Sequence, residues 1–159
     1  MIIFLNGSIN SGKSTVAKLL AEKLGNSAIV EIDSLREFID WMPLEKSIPI
    51  NLQNAVAVIK VFVKNNLNAI IPYPLDKENY DYLAKELDEF KNNLHVFTLS
   101  PKLEIALQNR GLRKLTDWER ERIQYHYSIG INNPDFGVII DNSDETEEET
   151  VGRILKIIK

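Results

Sequence analysis

The 159-residue chain contains no cysteine, which excludes disulfides and thiolate metal sites and is compatible with a reducing compartment. It has no Lys/Arg-rich block and a net charge of −4, so neither duplex nucleic acid nor an anionic membrane is expected as a partner. No apolar run is long enough to cross a membrane, and the apolar start is too short for a signal peptide and lacks a basic leader. These absences predict a cytoplasmic globular protein.

Hydrophobic residues make up 44% of the chain, enough to bury a core, and the length suits one domain over residues 1–159. Short apolar runs alternate with segments of helical periodicity. This alternation predicts an α/β fold with a mainly parallel sheet that is covered on both faces. The predicted strands are residues 2–5, 28–32, 69–73, 94–99 and 136–140.

The stretch AVAVIKVFVK (55–64) is rich in β-branched residues, yet its apolar residues recur at helical intervals and a parallel sheet needs a crossover there. It is therefore predicted to be a helix. Ser100-Pro101 is a favourable helix start, and Thr116 and Thr146 each begin a capping-box pattern. The other predicted helices are 13–24, 77–91, 101–109, 117–129 and 147–158.

The nonapeptide GSINSGKST (7–15) lies between the first predicted strand and the first predicted helix and satisfies G-x-x-x-x-G-K-[ST]. Glycines let the backbone curl so that consecutive N–H groups point at phosphate oxygens. The helix that follows adds its own N–H groups and the positive end of its dipole. A glycine turn that merely caps a helix is the alternative, but strand, spacing, Lys-Ser and helix all agree on a phosphate cradle.

Within this loop, Lys13 is predicted to neutralise the β- and γ-phosphates, and the Ser14 hydroxyl to bind Mg²⁺. The three-glycine spacing of a dinucleotide-binding fold is absent. The motif therefore predicts a nucleoside triphosphate with Mg²⁺ as the ligand. The predicted nucleotide-binding residues of the loop are Gly7, Ser8, Ile9, Asn10, Ser11, Gly12, Lys13, Ser14 and Thr15.

Three segments follow one another in an order that resembles the P-loop kinases of small molecules and nucleoside monophosphates. They are GSINSGKS, then IDSL (32–35) after the second strand, then NRGLRKLTDWERERIQYHY (109–127). The chain is most similar to the chloramphenicol phosphotransferase and shikimate kinase type, over nearly its whole length. The resemblance implies a three-layer P-loop NTPase fold with a five-stranded parallel sheet of order 2-3-1-4-5 and a helical lid.

Asp33 follows the second predicted strand, at the edge where open α/β sheets place their ligands. Its carboxylate is predicted to take the proton of an attacking hydroxyl or to order Mg²⁺, while a helix N-cap is a compatible alternative. Arg36 is available either to an anionic or hydroxylated substrate or to solvent. The resemblance implies a substrate-facing segment over about 34–54, in which Trp41 has a better claim to substrate contact than Trp118.

Arg110 and Arg113 lie between two predicted helices. In the resembling kinases this connection, about 110–117 here, is a mobile lid whose arginines reach the transferring phosphoryl group and the adenine. The resemblance therefore implies catalytic roles for both arginines and nucleotide contact for Arg110, whereas a helix hairpin with solvated arginines is the alternative. Arg122 is predicted on the exposed face of the next helix, although it could point inward.

The third predicted strand departs from many P-loop enzymes, because no acid follows it before Asp76. Either Asp33 also supports the metal or metal binding is weak. After the last strand, Asn142 and Ser143 either meet the adenine, as in similar kinases, or form an ordinary turn.

The predicted activity is transfer of the γ-phosphoryl group of ATP, with Mg²⁺, to a hydroxyl of a small molecule. The nearest alternative is a nucleoside or nucleotide kinase, but only Arg36 lies in the region 36–60, which favours a less charged acceptor. The alternative of another class is a nucleotide-switched binding module with slow hydrolysis, although no residue poised to orient water is evident. The acceptor, the base preference and the oligomeric state stay open.

Overall fold

The computed structural model describes residues 1–109 and 114–158. Five strands form one parallel sheet: β1 Ile2–Asn6, β2 Ser27–Ile29, β3 Asn68–Pro72, β4 Leu94–Leu99 and β5 Val138–Ile140. Their order is β2-β3-β1-β4-β5, with Ile2 of the central strand opposite Ala69 on one side and Leu94 on the other. The α/β class, the all-parallel sheet and the strand order are confirmed.

The described residues form six α-helices: α1 Lys13–Leu24, α2 Leu44–Lys64, α3 Lys77–Glu86, α4 Leu103–Ala106, α5 Asp117–Ser128 and α6 Glu147–Ile158. Two 3₁₀ helices cover Asp33–Ile39 and Asp88–Asn93. Within these ranges no helix is both long and apolar enough to span a bilayer.

Alternate residues of a strand face opposite sides of its sheet. Ile2 and Phe4 of β1 belong to a core formed with α2 and α3, whereas Ile3 and Leu5 belong to one formed with α1 and α6. All four side chains are at most 2% exposed. The sheet is therefore the middle of three layers, as a parallel sheet buried on both faces requires.

The residues 55–64 are helical, as predicted, inside the much longer helix α2. Ile59 is fully buried in the core, while Val61 on the opposite face is 60% exposed. Helical periodicity therefore outweighs the strand propensity of the β-branched residues here, because the crossover between two parallel strands buries one helix face.

Helices α1 and α6 have the predicted bounds, and α5 ends one residue before the predicted end. Both predicted capping boxes form. Thr116 accepts a hydrogen bond from the Glu119 N–H, and the Glu119 carboxylate accepts one from the Thr116 N–H. The Thr146 and Glu149 pair makes the same reciprocal contacts.

Two predicted helices are wrong in extent. The helix predicted over 77–91 ends at Glu86 and continues as the tighter 3₁₀ helix, where Phe90 N–H bonds to the Leu87 carbonyl. The helix predicted over 101–109 is reduced to the single turn α4. Ser100 does not cap it, since the N-cap is Lys102, and the Ser100 N–H extends the sheet by bonding to the Ile140 carbonyl.

Two strands are shorter than predicted. The second stops at Ile29, because Glu31 and Ile32 already accept the first hydrogen bonds of the 3₁₀ helix that follows. The fifth begins only at Val138. Gly137 before it has φ +70°, a left-handed conformation that an extended strand cannot contain.

We expect Ile59→Ala to lower the free energy of unfolding by about 2–5 kcal/mol, since it leaves a cavity in a fully buried position. Val61→Ala, two residues away on the exposed face, is the matched control and should change it by less than about 0.5 kcal/mol. Urea denaturation of both variants measures the difference. Equal losses would contradict the assignment of these two faces of α2.

Candidate active site

The loop 7–12 begins with a close approach that only glycine permits. Gly7 has φ +137°, and a Cβ there would lie 2.5 Å from the Leu99 carbonyl oxygen and 2.7 Å from the Ser11 hydroxyl oxygen. Gly12, at the end of the loop, has φ +96°. The loop therefore turns sharply from the end of β1 into the start of α1.

Ser8 and Asn10 anchor this loop through their side chains. Asn10 donates hydrogen bonds to the carbonyls of Ala106 and Gln108, at 2.8 and 2.9 Å. The Ser8 hydroxyl, which is buried, lies 3.2 Å from Nδ1 of His126. Because both side chains bind protein groups, a nucleotide contact from Ser8 or Asn10 would come from the main chain.

A cavity of about 250 Å³, named the cradle here, lies where the loop meets α1. The Val16 N–H makes the first helical hydrogen bond, to Gly12, and the N–H groups before it are those that a helix cannot pair internally. The Lys13 ammonium lies 2.9 Å from the Gly7 carbonyl and 2.6 Å from the Ser8 carbonyl. The cradle is lined by Asn10, Ser11, Gly12, Lys13, Ser14, Thr15 and Glu147.

Glu147 is a lining residue that was not predicted from the sequence. The first turn of α6 brings this carboxylate to the cradle. Apart from Glu147, the lining combines main-chain donors, hydroxyls and one ammonium, a donor set that suits a polyphosphate.

Asn142 and Ser143 both make protein contacts beside the loop. Asn142 is buried and donates to the Ser11 carbonyl at 3.0 Å. The Ser143 hydroxyl accepts from the Lys102 N–H and donates to the Asp141 carboxylate. Ser143 thus forms an ordinary turn, one of the two alternatives for this segment, whereas Asn142 holds the loop. Adenine contact by either residue stays a prediction.

A second cavity, of about 420 Å³, borders the same loop at Ile9 and is named the acceptor cavity here. Its walls come from the Asp33–Ile39 helix, α2, the end of β3, and α5. A volume of this size is typical of small-molecule sites. The cavity is lined by Ile9, Ile32, Asp33, Arg36, Leu44, Ile48, Asn51, Tyr73, Pro74, Trp118, Arg122 and His126.

Asp33 is the first residue of the 3₁₀ helix and not its N-cap, which is Ile32, so the capping alternative is wrong. Its side chain is exposed towards the cavity, yet partial desolvation by the walls raises the pKa of its carboxyl group. The charges of Lys13 and Arg36 act in the opposite direction and favour the carboxylate. Asp33 therefore lies within electrostatic reach of both cavities.

Asp33 and Arg36 face the same cavity because a 3₁₀ helix has three residues per turn and aligns positions three apart. Trp41 does not share this row. It is 77% exposed and outside the cavity lining, whereas Trp118, which the sequence favoured less, lines the cavity.

Three residues of α5 reach the acceptor cavity: Trp118, Arg122 and His126. They are spaced four apart and so share one helix face. The sequence did not predict His126 among the site residues and left the direction of the Arg122 side chain open. The four-residue spacing of these residues on a helix with a predicted capping box would have indicated that they share one face. Arg122 therefore points inward, which was the second of the two positions considered for it.

The two buried titratable groups of the cavity stay neutral at pH 7. Burial, then the charges of Arg122 and Lys13, lower the pKa of His126 to about 4. Burial, then the carboxylates of Asp33 and Asp76, raise the pKa of Tyr73 to about 12. His126 thus adds no charge to the cavity, and the Tyr73 phenol keeps its proton.

The predicted lid arginines, Arg110 and Arg113, lie outside the described residues. On either side of that segment, Asn109 accepts hydrogen bonds from the Leu115 N–H and from the Arg120 guanidinium. The lid and the roles of its two arginines stay predictions.

No protein-family model matches the chain. Comparison with curated proteins gives a match to part of it. A segment of 72 residues, 43% of this chain, is 35% identical to the bifunctional pantoate ligase/cytidylate kinase of Prochlorococcus marinus (strain MIT 9301). That segment covers only 14% of the relative's length.

Solved structures match nearly the whole chain. The tunicamycin resistance protein of Deinococcus radiodurans matches with a TM-score of 0.75 and 18% identity, over 99% of this chain and 94% of that one. Shikimate kinase from Aquifex aeolicus matches with a TM-score of 0.60 and 19% identity, over 99% and 96%. The APS kinase of Mycobacterium tuberculosis, in complex with AMPPNP and APS, matches with a TM-score of 0.65 and 19% identity, over 99% of this chain and 96% of that one. The chain has the fold of the P-loop kinases. The resemblance stated from the sequence is thus confirmed for the fold.

We expect the stability of the protein to fall as the pH drops from about 6.5 towards 4. His126 takes a proton near pH 6.5 when unfolded but only near pH 4 when folded, so the unfolded state gains protons first. His126→Asn keeps a polar partner for Ser8 and should remove this part of the pH dependence. Thermal unfolding between pH 7 and pH 4.5 compares the two proteins, and identical pH profiles would contradict a buried neutral His126.

Proposed function

We propose that this protein is an ATP- and Mg²⁺-dependent kinase that transfers the γ-phosphoryl group to a hydroxyl of a small molecule in the acceptor cavity. The observation that carries the proposal is the pairing of two cavities on one loop. The cradle presents main-chain donors and the Lys13 ammonium, and the acceptor cavity presents the Asp33 carboxylate. Both cavities lie beyond the carboxyl ends of the parallel strands, where this class of sheet binds ligands.

On the nucleotide side, the main chain of residues 7–15 would hold the phosphates, and Lys13 would compensate their charge as it increases during transfer. Ser14 would hold Mg²⁺, while Asp33 is proposed as the base and not as a metal ligand. Magnesium commonly takes one or two protein oxygens beside phosphate and water, which agrees with the lack of any cluster of three His, Asp or Glu among the described residues. When bound, the metal would neutralise charge on the phosphates.

On the acceptor side, Asp33 would accept the proton of the attacking hydroxyl. The protonated Tyr73 phenol and the neutral His126 imidazole lie in the same cavity and could orient the acceptor by hydrogen bonds. The apolar side chains of Ile9 and Ile32 limit the water there. Arg110 and Arg113 are proposed to close over the transferring group, as the resemblance implies.

A nucleoside or nucleotide kinase is the second candidate. It is supported by the partial similarity to a protein whose name includes cytidylate kinase, and by the second guanidinium, Arg122, in the acceptor cavity. A nucleotide switch would hydrolyse ATP slowly without an acceptor. ADP release measured with pooled hydroxyl compounds and nucleosides, with mass spectrometry of the products, separates these functions.

We expect Lys13→Ala to lower acceptor-dependent ADP release by several powers of ten, on the order of 10³ or more, because it removes a cation from the transferring phosphoryl group. Lys18→Ala, an exposed lysine later in α1, is the matched control and should retain activity. Unchanged turnover in Lys13→Ala would refute this role.

Asp33→Asn should reduce turnover far more than nucleotide affinity, because the amide cannot take a proton. Glu31→Gln provides the control, since Glu31 is a neighbouring half-buried carboxylate outside the cavity lining. Calorimetry with AMPPNP gives the affinity, and single-turnover assays give the chemical step. Parallel losses of affinity and turnover in Asp33→Asn would instead assign Asp33 to metal binding or folding.

A further inference from the structure

We propose that the acceptor of this reaction is a small polyhydroxylated anion, which places its negative group against Arg36 and Arg122 and a second hydroxyl against Asn51. This inference rests on the proposed function, because it names the chemical class of the acceptor. The anionic group is a carboxylate or a phosphate monoester, since a guanidinium recognises both.

The first observation is the charge of the acceptor cavity. Its lining holds one carboxylate, Asp33, and two guanidiniums, Arg36 and Arg122, while His126 is neutral. Among the lining residues there is therefore one positive charge in surplus. Lys13 is counted on the cradle side, where its ammonium contacts two loop carbonyls.

The second observation concerns the partners of these two guanidiniums. Within residues 1–109 and 114–158, neither guanidinium forms an ion pair. The Arg122 guanidinium instead lies over the Tyr125 ring, 4.9 Å from its centre. A stacked guanidinium keeps its in-plane donors available to a ligand oxygen.

The third observation is a complementary pair of buried polar atoms. Among the described residues, Arg36 Nε and Asn51 Oδ1 are buried without any hydrogen-bond partner, and Asn51 as a whole residue is 5% exposed. Both residues line the cavity. Arg36 lacks an acceptor and Asn51 lacks a donor, so an anionic oxygen near a hydroxyl would satisfy both.

The remaining walls define the rest of the ligand. Ile9, Ile32, Leu44 and Ile48 offer an apolar surface to its carbon skeleton, and the volume of about 420 Å³ suits a small metabolite. The region 36–60, judged alone, favoured a less charged acceptor. Arg122 revises that expectation, because α5 brings a second guanidinium from outside this region.

The test uses four probes with one six-carbon skeleton: sorbitol, gluconate, sorbitol 6-phosphate and glucamine, which are neutral, carboxylate, phosphate and cationic. The shift in melting temperature of the full chain with Mg²⁺ and AMPPNP reports binding without chemistry, and ADP release with Mg²⁺ and ATP reports transfer. We expect gluconate or sorbitol 6-phosphate to bind at least about tenfold more tightly than sorbitol, as one charge-assisted contact provides. The better of the two identifies the anionic group.

Three variants locate the selectivity. Arg36→Met and Arg122→Met keep the side-chain length and should each reduce the preference for the anionic probe over sorbitol by about tenfold. Asn51→Leu should weaken all polyol probes alike and leave the charge preference intact. Arg153→Met is the matched control, because Arg153 pairs with Glu145 and lines neither cavity.

Equal binding of sorbitol and the anions, a preference for glucamine, or no response to either anion would overturn the inference. Failure of the proposed function gives a different result. Anion-selective binding without ADP release from any probe would contradict the kinase and leave only the class of ligand bound in this cavity standing. Transfer to sorbitol and not to the anions would support the kinase and overturn the anionic acceptor.

Discussion

The close approach of Gly7 to the Leu99 carbonyl is the constraint on which both cavities depend. A side chain at that position would meet a main-chain oxygen at 2.5 Å, so the loop could not leave β1 so close to β4. Because position 7 is a glycine, the loop can curl over the carboxyl edge of the sheet and continue directly into α1. The cradle forms on one side of this turn, and Ile9 reaches the acceptor cavity on the other.

A loop that must present its main chain to a ligand needs another source of rigidity. Three side-chain contacts hold this loop in place. Asn10 of the loop donates to the Ala106 carbonyl, Asn142 donates to the Ser11 carbonyl of the loop, and Ser8 contacts His126. The Ser8 contact has a second effect, because His126 belongs to the helix face that also carries Arg122. One buried hydrogen bond thus joins the phosphate loop to the wall of the acceptor cavity, so each site is positioned relative to the other.

The sequence predicted the features that depend on local patterns. The strand order came from resemblance, and α1, α5 and α6 from periodicity and capping. Features that depend on distant contacts were not predictable from local patterns: Ser100 joins the sheet instead of capping a helix, and Gly137 delays β5. In the site, the motif indicated the cradle directly. Most of the acceptor cavity is assembled from separate elements, so counting arginines in one segment missed Arg122.

The position of Lys13 links the two halves of the proposed reaction. Its charge lowers the pKa of Asp33, against the desolvation that raises it. A polyphosphate bound to Lys13 would cancel that influence, so the pKa of Asp33 would rise and its carboxylate would become a stronger base. Proton acceptance would then be more favourable with the phosphoryl donor in place than without it. An anionic acceptor would act in the same direction, because it would offset the other cation that favours the carboxylate, Arg36.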